Sequence, residues 1–224
     1  MGDTDRHVNS YRIGVLADTH VPEMWPALPA AVAQALHGVH LILHLGDLTS
    51  PDVLRDLSSI APVIAIRGDH DDASLPRQAL VHVLGLRIGM VHGTPTLYRE
   101  LAAAHTNSGD WASSLPRDAT PAWREVDALL FGHTHRPLMA RHNGVLFFSP
   151  GAVYQYTVET LRVELAKDPP LAKRLTLQRL LDHAEKSGAD AVMPPTIGLL
   201  TIADGVIHAE VQPLASAAND AAAP

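Results

Sequence analysis

Five short stretches hold side chains able to bind a metal ion or move a proton: "DTH" (Asp18, His20), "GD" (Asp47), "RGDHDD" (Asp69, His70, Asp71, Asp72), "GMVHG" (His92) and "GHTH" (His133, His135). Asp and His together supply the oxygen and nitrogen donors that suit Zn, Mn or Fe. Seven candidates, Asp18, His20, Asp47, Asp69, His92, His133 and His135, are too many for one ion. Two ions sharing a bridging carboxylate would use them all. Such ions lie about 3.5–4 Å apart, lower the pKa of a bound water and stabilise the attacking and leaving oxygens of an in-line displacement. Each fragment alone is ordinary, since a lone His at a strand end is usually a capped residue and GD is a common turn. The joint pattern carries the inference. His44, inside the apolar run before Gly46, reads as a packed residue or a support for the ligands, and the remaining histidines lack any such context.

What brings these positions together is the placement of each cluster after a strand. "YRIGVLA" (residues 11–17), "LILHL" (41–45) and "PVIAI" (62–66) are short apolar runs separated by helix-like segments, a βαβαβ opening. "ALVHVLGLRIGMVH" reads as two strands turning near Gly85, and "ALLF" as another buried strand. "PLMARHNGVLFFSP" is a hairpin because Asn143-Gly144 supplies the positive φ angles of a type I′ turn, and Asp204-Gly205 marks a second hairpin near the end. Strand carboxyl ends in open α/β sheets converge on one edge, so distant positions can share a site. In "LLFGHTHRP", alternate residues leaving the strand can send one imidazole to each metal. The order of elements predicts two sheets packed face to face with helices outside.

Between "SPGAV" and "PPTIGLL", Leu171, Leu175 and Leu181 suggest an amphipathic helix with Asp168 as its N-cap, proline in its first turn and Gly188 at its end. The chain thus reads as a single domain over residues 1–224 with a helical insertion over 154–195. Its tail, 215–224, lacks large apolar residues and is expected to fray. A leucine-bearing face of this size should bury against the sandwich or against a second copy of the chain, giving a homo-oligomer.

With 224 residues and 46% hydrophobic content the chain can bury a sizeable core. Its 17 Lys+Arg against 24 Asp+Glu leave a formal charge of −7, which argues against an anionic membrane surface or nucleic acid as partner, save as a substrate. There is no cysteine, which excludes disulfides, thiolate metal sites and a cysteine nucleophile and fits a reducing cytoplasm. The N-terminus has no apolar signal region, no apolar run reaches transmembrane length, and the expected location is cytoplasmic.

The order "DTH", "GD", "GDHD", "VHG" and "GHTH", from Asp18 to His135, resembles the calcineurin-like metallophosphoesterase superfamily, whose pattern is D-x-H, G-D, G-N-H-[DE], H and G-H-x-H. The short spacings, with "SPG" and "TIGLLTI" near the end, resemble its small bacterial and archaeal phosphodiesterases. The resemblance implies a four-layer α/β/β/α sandwich of two mixed sheets, a hydrolase of phosphoric ester bonds and two divalent metal ions, Mn foremost with Fe, Zn, Ni or Co as alternatives. It puts Asp18, His20, Asp47 and His135 on the first metal, with Asp47 bridging, and Asp69, His92 and His133 on the second. It puts His70 near the leaving-group oxygen as a catalytic residue, with Asp71 fixing its tautomer. The implied nucleophile is a metal-bound hydroxide acting in line at phosphorus on a small phosphate ester.

Two positions depart from the pattern: the superfamily usually carries Asn at the positions of Asp69 and Ser149. A diester substrate leads, with a monoester or dinucleotide as alternatives. The loop that would choose among them includes Tyr98, Trp111 and Trp123, able to stack on a nucleobase or to pack their helix down. A reading from another class is a non-catalytic scaffold, since the superfamily includes a protein-sorting subunit that keeps the fold while its site is degraded.

Overall fold

The computed structural model describes residues 10–23, 26–94, 125–154, 157–187 and 194–214. The βαβαβ opening consists of β1 (Tyr11–Leu16), α1 (Ala30–Ala35), β2 (Leu41–His44), α2 (Pro51–Ser58) and β3 (Val63–Ala65). β4 (Gln78–Val83), β5 (Leu86–Val91), β6 (Ala128–Phe131), β7 (Pro137–His142) and β8 (Val145–Pro150) follow. Helices α3 (Val158–Ala166) and α4 (Leu171–Ser187) precede the closing hairpin of β9 (Thr196–Ala203) and β10 (Val206–Pro213). One sheet has the order β10-β9-β1-β2-β3 and the other β4-β5-β6-β8-β7, each of five strands. β1, β2 and β3 are parallel, as are β5, β6 and β8, while β4, β7, β9 and β10 pair antiparallel to their neighbours. This is the two-sheet α/β sandwich expected from the order of elements, and both sheets are mixed as the resemblance implies.

The apolar runs of the parallel strands follow from burial on both faces. Ile13, Val15, Leu41 and Leu43 meet Ile88, Met90, Leu130 and Phe148 of the other sheet in the central core. Leu16 and Ile42 point the opposite way, onto Val32 of α1, Leu36 just after it, and Val53 and Leu57 of α2. The outer face of the second sheet carries its own buried cluster, including Leu129, Phe131 and Phe147. Two-residue turns close the hairpins as their sequences require, with φ of 49° and 84° at Asn143 and Gly144 and of 52° and 73° at Asp204 and Gly205.

The segment between β8 and β9 differs from the expectation. It contains two helices, and their shared core is Leu161 from α3 with Leu177 and Leu181 from α4. Leu171 and Leu175 are exposed, at 68% and 51%. The buried stripe of α4 runs through Leu177, Leu181 and Ala184, and Leu175 lies two residues, about 200°, around the helix from Leu177. Asp168 is not an extended N-cap: its φ is 51°, its carboxylate pairs with Arg174, and α4 begins beyond Pro169 and Pro170. α3 instead carries a reciprocal cap, in which the Thr157 hydroxyl accepts the Thr160 N–H and the Thr160 hydroxyl accepts the Thr157 N–H. Gly188, the loop carrying Tyr98, Trp111 and Trp123, and the tail 215–224 lie outside the described residues. Among the described residues no helix is long and apolar enough to cross a membrane.

Candidate metal centre

The loops after β1 and β2 are laced together by backbone hydrogen bonds: Asp18 N–H to Gly46 O at 3.0 Å, His20 N–H to Asp47 O at 3.0 Å and Val21 N–H to Leu48 O at 3.2 Å. Gly46 permits this, since its φ is 99° and a Cβ there would stand 2.5 Å from the Gly68 nitrogen. Gly68 is equally constrained, because its Cβ would meet Asp47 Oδ1 at 2.1 Å. Asp18, His20, Asp47, His133 and His135 all have positive φ, between 48° and 68°. Each such residue costs on the order of 1–3 kcal/mol of backbone strain, which persists only where surrounding structure over-determines it. Five of the seven predicted ligands therefore sit on backbone held out of its preferred regions, in tight turns that bring their side chains inward.

Those turns produce overlapping groups of donors, of which two share no residue and a third, Asp18, Asp47 and His92, takes a member from each. Asp18, His20 and His135 form one, with the ligand atoms within 4.8 Å of one another, and Asp69, His92 and His133 form the other. The two imidazoles of "GHTH" thus part, one to each group. Between them stands Asp47, whose Oδ2 lies 3.6 Å from His20 Nε2 in the first group and 3.4 Å from His92 Nε2 in the second. Asp18 also ties the groups, since its Oδ2 accepts the His133 backbone N–H at 3.0 Å while Oδ1 lies 3.5 Å from His135 Nε2. His133 Nδ1 is 2.9 Å from Asp69 Oδ2. All seven predicted ligands are brought together.

Electrostatics suit a cation. Burial would raise the carboxyl pKa of Asp47, but His92, the His70 backbone N–H and His20 hold it well below the usual carboxylate range. Asp18 is lowered too, with His135 and His92 outweighing burial. His20 falls to about 4 through burial and the neighbouring His135, so its ring is unprotonated at neutral pH. Burial disfavours the His92 imidazolium, yet Asp47 and Asp18 raise its pKa to about 9. Two ionised buried carboxylates need positive charge beside them. Asp18 Oδ1 and His92 Nε2 are buried and make no hydrogen bond. His92 Nδ1 donates to Leu45 O at 2.7 Å, which leaves Nε2 as the nitrogen for a metal once its proton is displaced. The residues present fit divalent ions.

Supporting residues surround this set. His44 Nδ1 accepts the Gly46 N–H at 3.3 Å, so its proton is on Nε2, which lies 3.3 Å from the Thr19 hydroxyl. Thr19 Oγ1 donates onward to Asp47 O at 3.3 Å, and the buried His44 is held neutral, its pKa pushed down to about 4 by burial. It is the supporting residue its sequence context implied. Asp71 requires a correction: instead of orienting His70, its carboxylate takes four backbone N–H groups. Oδ2 accepts from Asp47 at 2.7 Å and Gly68 at 2.8 Å, and Oδ1 accepts from Leu48 and Thr49, both at 2.9 Å. The turn after β2 aims three consecutive N–H groups one way, and a carboxylate fills that nest. The carboxylate facing the half-exposed His70 ring is Glu23, with Oε2 3.6 Å from Nδ1. Sequence reasoning missed Glu23, although it lies three residues after His20. It also missed Tyr154, a buried ring set edge-on against His20 and His135 with centroids 5.9 Å from each. Its only signal was its place just after the "SPGAV" strand end. At Ser149, where Asn is usual, the hydroxyl accepts the Gly151 N–H at 3.4 Å.

The profile of the calcineurin-like phosphoesterase superfamily domain matches residues 11–166. The chain belongs to that superfamily. A probable metallophosphoesterase of Methanothermobacter thermautotrophicus is 34% identical over 149 residues, covering 62% of this chain and 76% of the relative. Among solved structures, Vacuolar Protein Sorting 29 of Cryptosporidium parvum superposes with a TM-score of 0.58 at 17% identity, covering 92% of this chain and 99% of the other. An archaeal phosphodiesterase superposes at 0.52 and 18% identity, covering 90% and 99%. At these identities the two structures speak for the fold alone. The two donor groups gather the residues that the sequence motifs lead one to expect around two ions.

Proposed function

We propose that the protein is a phosphodiesterase that acts on a small phosphate ester with two divalent metal ions, Mn foremost. The observation that carries this reading is Asp47: one buried carboxylate within 3.6 Å of His20 and 3.4 Å of His92, members of two separate donor groups. Asp18, His20 and His135 would hold one ion, Asp69, His92 and His133 the other, and Asp47 both. Bound there, the ions would neutralise the phosphoryl oxygens and acidify a water for in-line attack.

The chain's own contribution is positioning and one proton. The strained turns pre-set the donors, so little reorganisation accompanies binding. His70, at the exposed rim, has Nδ1 toward Glu23, and its Nε2 is the atom to give a proton to the departing oxygen. The cysteine-free composition supports a reducing, cytoplasmic setting.

The similarity to a protein-sorting subunit raises a scaffold as the second reading. The complete donor set favours an enzyme, because a surface that only docks partners has no use for ionised carboxylates buried among imidazoles that face them. The test is hydrolysis of bis(p-nitrophenyl) phosphate by Mn-loaded protein against an EDTA control, beside metal analysis and a panel of phosphate esters. Activity with about two ions per chain, and loss of both in Asp47→Ala, is the expected result. Silence with every metal would favour the scaffold.

A further inference from the structure

Glu23 belongs to no recognised motif, yet it reaches two of the site's histidines. Its Oε2 lies 3.9 Å from His20 Nδ1 and 3.6 Å from His70 Nδ1. The two rings stand edge to face, 83° apart with centroids separated by 5.1 Å, so one carboxylate at their shared margin addresses both Nδ1 atoms. His20 is divided between two neighbours: Nε2 faces Asp47 Oδ2 at 3.6 Å and Nδ1 faces Glu23. A histidine that ligates through Nε2 must be neutral and carry its proton on Nδ1, and an outer carboxylate at Nδ1 selects that tautomer and fixes the ring. At His70 the same carboxylate holds the ring by its Nδ1 edge and leaves Nε2 toward substrate, and the proton given from Nε2 is the second proton of the imidazolium.

Resting on the two-metal reading above, we infer that Glu23 is a positioning residue that sets the ring orientation of both His20 and His70 and the tautomer of His20. It thereby couples the first metal site to the proton-bearing histidine. Glu23 is the only carboxylate within ion-pair distance of His70 among the described residues, since Asp71 is committed to four backbone N–H groups. It is half exposed, with 51% of its side-chain surface open, so the folded core does not depend on it. The other use of these atoms is a third cation held by His20, Glu23 and His70, whose ligand atoms also lie within 4.8 Å of one another. His20 argues against it, since the ring would have to serve two cations at once.

The experiment is calorimetric titration of metal-free wild-type, Glu23→Gln and Glu23→Asp proteins with Mn²⁺. Turnover of p-nitrophenyl and alkyl phosphodiesters and melting of the metal-free proteins are measured beside it. Glu23→Gln should weaken one of two Mn²⁺ sites roughly 10–100-fold, the effect usual for an outer carboxylate, and leave the other site and the melting temperature unchanged. It should slow the alkyl ester more than the p-nitrophenyl ester, and Glu23→Asp should recover part of both losses. Two sites of wild-type affinity in Glu23→Gln would overturn the inference while leaving the two-metal reading intact. A wild-type stoichiometry of three that falls to two in Glu23→Gln would also overturn it, in favour of the third cation. No Mn²⁺ binding by the wild type would overturn the two-metal reading and this inference with it.

Discussion

Asp71 holds Asp47 from behind: its Oδ2 accepts the Asp47 backbone N–H at 2.7 Å while the Asp47 side chain faces the two donor groups. With the bonds to Leu48, Thr49 and Gly68, this one carboxylate fixes the turn after β2 and joins it to the turn after β3. In Asp71→Asn one oxygen becomes an NH₂ that faces two N–H donors. Two donors then lose an acceptor, and hydrogen bonds to charged groups contribute about 1.5–3 kcal/mol each. With local relaxation, metal-free Asp71→Asn should lose about 2–4 kcal/mol and melt on the order of 5–10 °C lower. It should also bind Mn²⁺ more weakly at both sites, because the displaced residue is the bridge. Scanning calorimetry beside a metal titration checks this, and a variant that melts within a degree of the wild type would show that the clamp is dispensable.

For His70, the expected role is help to the leaving group. Alkyl alkoxides leave poorly and need a proton, whereas p-nitrophenolate leaves without one. His70→Gln should therefore lower turnover of an alkyl phosphodiester by about 10²–10⁴-fold and that of bis(p-nitrophenyl) phosphate much less. Equal losses on both substrates would mean that His70 only positions the phosphoryl group.

How far the site could be read in the sequence depended on what each residue bonds. The seven donors announce themselves because each follows an apolar strand, and strand ends in these sheets converge. Asn143-Gly144 and Asp204-Gly205 fixed two hairpins for the same local reason. Asp71 misleads because its neighbour in sequence, His70, is not its partner in space: its partners are main-chain N–H groups of residues 47–49 and 68, and a backbone nest leaves no mark on the side chains that form it. Glu23 was missed because a carboxylate three residues from a histidine is common, and only the fold brings His70 to it. Leu171 and Leu175 read as part of a buried face because leucines at a spacing of four suggest one, while the true stripe is set by where α3 lies.

Glu164 offers a pH test away from the metal centre. It is the buried acid of α3, 8% exposed, and its carboxylate pairs with Lys167 and Lys173. Burial would raise its pKa, but the two ammonium groups lower it below the ordinary 4.5. A carboxyl more acidic in the folded than in the unfolded chain adds stability above the unfolded pKa and loses it as pH falls through the folded one. Glu164→Gln should thus destabilise the α3–α4 pair by roughly 1 kcal/mol at pH 7, with the difference from wild type shrinking below pH 4.5. Hydrogen exchange of α3 and α4 amides in both proteins at the two pH values reads this directly. A gap that widened on acidification would reverse the assigned sign.

Asp69 is one of the two positions that depart from the expected motif pattern, and its carboxylate stays on the site, with Oδ2 2.9 Å from His133 Nδ1 and 4.0 Å from His92 Nε2. If Asn stood there, two divalent ions would face the carboxylates of Asp18 and Asp47 for a formal charge of roughly +2, against roughly +1 with Asp69 ionised. The lower charge should retain the ions more firmly and attract an anionic ester less. Asp69→Asn should accordingly remain active, hold Mn²⁺ more weakly and show a lower KM for phosphodiesters, with the KM difference fading at high ionic strength as screening grows. Metal titration and steady-state kinetics of the two proteins in one buffer decide the matter. A gain of Mn²⁺ affinity in Asp69→Asn would mean that the carboxylate turns away once the ions are bound. In that case the second site would rest on His92, His133 and Asp47 alone, and the usual Asn would be the better ligand.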